Sequence, residues 1–413
     1  MDNVLARLTP FRTPEARRLA ILFAVVYLSQ GMWYLPNQTI TITLKESGLG
    51  AGQIATFFLI TTVPWVIKPV YGLISDFVPL FGRRRKSYFL VTTLLAAAAG
   101  TALALRSNHP YGWLAGLFML MGLGIAFTDV LTDALMVESG KPLGLTGAFQ
   151  SVQWAAINAA TVFVGIVGGY FAQGRDLHGA FLVATCFPMV SLIIATVFVH
   201  EPRAEGGERE AFSETWAAIR EAVRERDVWI VAAFIFFWTF SPSFGTALMF
   251  YQTDRLGFSQ QFIGYLSSLN AASGMVGAFL YAPLSRRVPL RRLVQGAIGV
   301  GVAITLLFLL YRNTGSAILV EATYGGLAMM TQLAFLDLAA KTCPRRVEAT
   351  FFALLMSVFN LGSQGSQIAG GHLYDWLGYQ PLILVSAAMT ALAWVLVPFV
   401  AFEQIEARAR AAV

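Results

Sequence analysis

Apolar runs of about twenty residues recur along the whole chain, and no other feature restricts its fold as much. A helix needs roughly 20 apolar residues to cross a hydrocarbon core. By that measure about twelve spans are predicted, near 19–44, 50–75, 88–106, 111–137, 148–173, 179–200, 229–254, 260–285, 292–311, 316–341, 349–373 and 380–402. Of the 413 residues, 56% are hydrophobic and only 13% charged, about half the charge of an ordinary soluble domain. The chain reads as an all-α membrane protein with twelve transmembrane helices.

The charges are sorted by side. With the N-terminus in the cytoplasm, the inner tails and loops hold Arg7, Arg12, Arg17, Arg18, the block Arg83 to Lys86, Lys141, the arginines of 203–226, Arg286, Arg287, Arg291, Arg292, Lys341, Arg345, Arg346, Arg408 and Arg410. The outer loops hold Lys45, Arg106, Arg175, Arg255 and Arg312. This asymmetry follows the positive-inside rule and predicts both termini in the cytoplasm. It also explains the formal charge of +6 without a nucleic acid partner. Residues 1–18 are polar and basic and the first apolar run is too long for a signal core, so no cleavable leader is expected. A multi-pass protein of a bacterial inner membrane is the expected setting. Cys186 in a span and Cys343 in an inner loop do not suggest a disulfide. His109, His178, His200 and His372 lack metal-ligand spacing, and no metal or cofactor is expected.

The longest polar break, 201–228, divides the spans six and six. It predicts an N-terminal bundle over 1–200, a cytoplasmic linker over 201–228 and a C-terminal bundle over 229–413. Within the linker, 212–226 can form a surface helix with Phe212, Trp216, Ile219 and Val223 on one face. The halves resemble each other. "GLGAGQIA" at 48–55 matches "GFSQQFIG" at 257–264, Asp133 matches Asp337, and Gly168 in "GGYF" matches Gly370 in "GGHLYD". All these offsets are slightly above 200 residues. A parallel repeat of six spans is a transporter plan, with the substrate site expected between the halves near mid-membrane.

Between the second and third spans the chain reads "GLISDFVPLFGRRRK", with Gly72, Asp76, Gly82 and four cations. This resembles the loop motif of the major facilitator superfamily, although "FVPLF" is a longer spacer than the common form. The longer version, preceded by "KPVYG" and followed by "GRRRKSY", resembles the folate–biopterin transporter family, as does "FTDVLTDALMVE" in the fourth span. The resemblance covers the N-terminal half, while the C-terminal half supports the superfamily plan. It implies the major facilitator fold, two pseudo-symmetric six-helix bundles, and secondary transport of folates or pterins by alternating access with proton coupling. It also implies a gating latch in which Asp76, Arg83 and Arg84 pair with neighbouring helix ends, Glu138 among them. Topology anchoring alone is the other reading of that block. No phosphate-cradling glycine loop or nucleophile–base arrangement suggests an enzyme. A monomer binding a small molecule within membrane lipids is expected. A carrier for another solute (drug, sugar or muropeptide) and a non-transporting scaffold remain the alternatives.

Intramembrane polar residues mark the candidate site. A charge at a helix centre costs about 2.5–3.5 kcal/mol on insertion scales. Lys68 lies eight residues before Asp76, and Asp129 lies nine before Glu138, so both sit at a similar depth. Asp129 and Asp133 share a helix face. Either Lys68 pairs with one of these aspartates to lock helices together, or it receives an anionic part of a substrate while Asp129 or Asp133 carries a coupling proton. In the first span Gln30, Trp33, Tyr34, Asn37 and Gln38 stand at i, i+3, i+4, i+7 and i+8. Such a stripe should face the interior, with Trp33 or Tyr34 stacking on a flat ring and the amides reading its edge, or else it only bonds helices together. Pro36 can kink that helix. Asn360 and Gln364 in the eleventh span, and Gln150, Gln153 and Asn158 in the fifth, complete the candidate substrate-binding set.

Overall fold

The computed structural model describes residues 11, 13–83, 85–106, 108–143, 145–199, 216, 220, 224–343 and 348–410. The predicted surface helix over 212–226 falls largely outside them, and Asp76, Arg84 and Gln150 have undescribed side chains. Sixteen α-helices are described: α1 (Pro14–Met32), α2 (Asn37–Glu46), α3 (Ala51–Val66), α4 (Lys68–Phe77), α5 (Lys86–Leu105), α6 (Tyr111–Leu143), α7 (Thr146–Gly174), α8 (Leu177–Phe198), α9 (Arg226–Thr239), α10 (Gly245–Asp254), α11 (Gln260–Arg287), α12 (Leu290–Leu307), α13 (Thr314–Thr342), α14 (Glu348–Leu377), α15 (Tyr379–Leu396) and α16 (Phe402–Arg410). Among the described residues, 10 helical stretches are long and apolar enough to cross a membrane, with α1–α2 and α3–α4 each counted as one. The two other predicted spans are helical as well. One is broken between α9 and α10 by the sequence Ser241-Pro242-Ser243, and the other, α14, is diluted by Asn360, Ser363, Gln364, Ser366 and Gln367.

Helix boundaries follow local chemistry. Thr13 accepts a bond from the Ala16 N–H ahead of Pro14 at the first position of α1. Asn313 and Ser316 form a reciprocal capping box on α13. Prolines set the breaks inside spans: Pro36 separates α1 from α2, and Pro64 and Pro69 flank the break at Ile67. The longer spacer after Asp76 becomes a tight hairpin. Leu80 and Arg83 exchange backbone bonds at 2.9 and 3.1 Å, while Phe81 and Gly82 both have positive φ, 53° and 72°. That is the backbone pattern of a two-residue primed turn.

The chain divides into two compact units: unit 1 is residues 1–40 and 60–208, and unit 2 is residues 41–59 and 209–413. The division near 208 falls inside the expected linker, but 41–59 cluster with the C-terminal residues. Unit 1 buries Leu22, Phe23, Phe89, Leu131 and Phe149. Its α5 and α6 touch at Gly124, where an added Cβ would sit 2.8 Å from the Ala96 nitrogen. Close backbone approach of this kind is how membrane helices gain packing without a hydrophobic drive. Thr92 and Thr128 add a hydroxyl pair at 2.9 Å across the same contact.

Unit 2 packs Trp238 flat on Phe335, with centroids 3.7 Å apart. Its α11 and α13 approach through Gly277 and Gly325, and the Ser273 hydroxyl donates to the Ala322 carbonyl. Residues 41–59 are tied into this unit by charge. Lys45 pairs with Asp254 and lies 4.7 Å from the centre of the Phe250 ring. The N–H groups of Ala51 and Gly52 donate to Asp375 Oδ1 and Oδ2 at 3.1 and 2.9 Å. A carboxylate from α14 thus caps the first turn of α3, more than 300 residues away in sequence. A Cβ on Gly371 would lie 2.8 Å from the Ala51 carbonyl oxygen, so the contact requires glycine there.

Candidate functional site

Unit 1 gathers one ammonium and two carboxylates. Lys68 Nζ lies 2.5 Å from Asp129 Oδ2. Asp129 is 2% exposed, and its Oδ1 has no hydrogen-bond partner among the described residues. One helical turn on, Asp133 Oδ1 accepts from the Tyr27 hydroxyl at 2.5 Å and from Gln153 Nε2 at 3.3 Å. The helix break at Ile67 places Lys68 at the first position of α4, while the unbroken α6 presents both aspartates on one face. The expected pairing of Lys68 with an aspartate is present, and Asp129 is the partner. Tyr27 was not among the expected residues. It lies three positions before Gln30, so the polar stripe of the first span starts a turn earlier than read.

That stripe is not continuous. The α1 helix ends at Met32, and Asn37 starts α2. Trp33 is 0% exposed, stacked on Phe118 with centroids 4.6 Å apart and against Trp65 at 4.4 Å. It packs here as a core residue of unit 1, so of the expected pair Trp33 or Tyr34 its ring is the one already covered. Tyr34, at the break, is 43% exposed and interacts electrostatically with Lys68 and Asp129, so it alone of the two rings is available beside the charges. Gln30 is buried, and its Oε1 has no partner among the described residues. It lines a small pocket with Ser29, Thr93, Thr128 and Ser191. Asn37 and Gln38 are half-buried in α2.

The remaining candidates separate. Gln153 is buried and holds Asp133. Asn158 donates to the Trp154 carbonyl of its own helix at 2.8 Å, so that amide proton is already engaged. Asn360 and Gln364 are half-buried in α14 of unit 2. The Arg84 side chain lies outside the described ones; among those described in the basic loop, Arg85, which was not among the expected latch residues, reaches Glu138. Its guanidinium contacts Glu138 Oε1 and Ser75 Oγ, both at 2.7 Å. The hairpin sets these positions: Arg83 closes the two-residue turn and Arg85 sits at the cap of α5, beside α6.

A family model, the BT1 family, matches residues 30–401. The chain belongs to this family. A folate-biopterin transporter of Synechocystis sp. is 31% identical over 383 residues, covering 88% of this chain and 76% of that protein. Folate transporter 2 of Plasmodium falciparum is 25% identical over 361 residues, covering 83% and 77%. Among solved structures, a D-xylose–proton symporter superposes with a TM-score of 0.73 at 13% identity, covering 94% of this chain and 98% of that one. A POT family transporter in complex with 5-aminolevulinic acid gives 0.70 at 14% identity, covering 96% and 97%. This BT1 family member is a multi-pass membrane transporter with the major facilitator fold.

Proposed function

We propose that this BT1 family member carries folates or pterins across a bacterial inner membrane, with both termini in the cytoplasm, as a proton-coupled secondary transporter. The observation that carries the reading is the buried Lys68–Asp129 pair beside Asp133. Two carboxylates face one ammonium, and Asp129 keeps one oxygen without a partner among the described residues. Pterins present a flat ring with N–H donors and acceptors along its edge, and folates add carboxylates. Asp129 Oδ1 can accept from the ring edge, Lys68 can receive a carboxylate, and the exposed ring of Tyr34 offers a face for stacking. Among the described residues the second aspartate accepts from the neutral donors Tyr27 and Gln153, and it is the candidate for the coupling proton. Relatives named as folate-biopterin and folate transporters support this class of cargo.

The test is ligand binding and uptake by protein reconstituted in liposomes, across a panel of pterin, folate, sugar and muropeptide. Biopterin and folate are expected to raise thermal stability and to be accumulated. The double variant Lys68→Met with Asp129→Asn keeps the pair neutral. It is expected to bind folate poorly, while biopterin binding falls less. Full folate binding by the folded double variant would return Lys68 to a purely structural role. Stabilisation by another class of the panel alone would overturn the cargo assignment.

A further inference from the structure

Unit 2 holds a buried carboxyl group that the reading above leaves unused. Glu321 lies seven residues into α13 and is 6% exposed. The end of α13 nearest it adjoins the exposed Arg312–Asn313 loop, on the face opposite the arginine-rich loops. Asn270 of α11 donates its Nδ2 to Glu321 Oε2 at 2.8 Å. Tyr311, just after α12, places its hydroxyl 3.3 Å from Oε1, and Gln252 of α10 reaches that hydroxyl with Nε2 at 2.6 Å. The titratable groups that interact with Glu321 are phenols: Tyr311, Tyr324 on its own helix, and Tyr379 of α15. No Lys, Arg or His is among its partners in the described residues. Asp129, Asp337, Glu138 and Asp254 each have a cation within ion-pair distance. Glu321 has only dipoles.

An ionised carboxylate at this burial is costly without a matching cation, and neutral donors offset only part of that cost. A proton removes it. The network can hold the group in either state. With Glu321 ionised, the Gln252 amide donates to the Tyr311 oxygen and the Tyr311 hydroxyl donates to Oε1. With Glu321 protonated, the Oε1 hydroxyl donates to Tyr311, and Tyr311 donates to the Gln252 carbonyl oxygen once that amide is turned over. The nitrogen and oxygen of an amide are interchangeable in shape. Asn270 serves Oε2 in both states, so both carboxyl oxygens and the Tyr311 hydroxyl keep a partner throughout.

We propose that Glu321 is an exchangeable proton-binding site of unit 2, filled from the aqueous phase on the face opposite the arginine-rich loops. Tyr311, itself 0% exposed, joins Glu321 to Gln252 and is the partner that turns as the proton binds and leaves. Filling the site converts one hydronium ion to water and the carboxylate to a neutral carboxyl. The site itself needs no cargo, and only its use in driving uptake rests on the transport reading.

Infrared difference spectroscopy of the purified protein in lipid nanodiscs, titrated from acid to alkaline pH, tests it. The wild type is expected to show a protonated-carboxyl C=O band that is lost as pH rises. Glu321→Gln removes that band, and Tyr311→Phe shifts it. Glu321→Gln keeps the shape and the bond to Asn270, so it is expected to fold, which a melting curve checks. A wild-type spectrum unchanged by Glu321→Gln would overturn the proposal, as would a Glu321 band that persists at every pH at which the protein stays folded. Loss of the band on adding sodium at fixed pH would assign the site to a metal cation and equally overturn it. If wild-type liposomes take up no pterin, the transport reading fails while the infrared result still decides the site.

Discussion

At the scale of single residues, the strongest consequence concerns Lys68. Removing one partner of a buried ion pair typically costs about 3–5 kcal/mol, because the other charge stays behind. Lys68→Met leaves Asp129, 2% exposed, without its cation. The expected result is a clear drop in the thermal midpoint in detergent, restored when Asp129→Asn is added. A single variant as stable as wild type would show that Asp129 has another counter-charge or is already neutral. This pair was legible in the sequence, because counting residues from the inner loop places both groups at one depth. The role of Trp33 was not legible. Spacing alone assumes an unbroken helix, and the break at 33–36 resets the rotation, sending Trp33 inward against Phe118 and leaving Tyr34 out. The contact of Arg85 with Glu138 was hidden for a similar reason, since a turn decides where each of the consecutive arginines points.

Among the elements, the hairpin after α4 makes the sharpest prediction. Phe81 sits at φ 53° and is 81% exposed. A left-handed backbone costs a side-chain-bearing residue roughly 1–2 kcal/mol, whereas asparagine tolerates it. Phe81→Asn is therefore expected to stabilise the protein by about 1 kcal/mol, read as a small rise in melting midpoint. A fall would show that the ring is held by something that outweighs the strain. The spans themselves were readable because lipid forces long apolar helices. Their internal breaks were only partly readable: Pro36 announced one, but Ile67 and the Ser241–Ser243 break depend on how neighbours rescue the freed backbone. Ser241, for example, donates to the Ser386 carbonyl at 2.8 Å, and the Ser243 N–H to that of Ser366 at 3.0 Å.

Over the whole molecule, the matched segments at 48–55 and 257–264 share the offset of the other repeat matches, but the helices they start are capped differently. In the second copy, Ser259 caps its own α11 by accepting from the Phe262 N–H. In the first copy Gly50 stands before α3, and the cap comes from Asp375. The 41–59 segment groups with unit 2 through this cap and the Lys45–Asp254 pair, a long-range outcome that no local pattern in 1–200 announces. Losing an N-cap costs about 0.5–2 kcal/mol. Asp375→Asn is expected to speed amide hydrogen exchange in a peptide covering 49–56 and to leave a peptide at the start of α11 unchanged. Equal exchange in variant and wild type would remove the cap from the account. The borrowed cap has a further consequence for measurement. Two backbone amides of α3 are shielded only while α14 stays against them, so their deuterium uptake in the unmodified protein is a clock for how often those segments part. It can be read without a label, a cargo or a mutation.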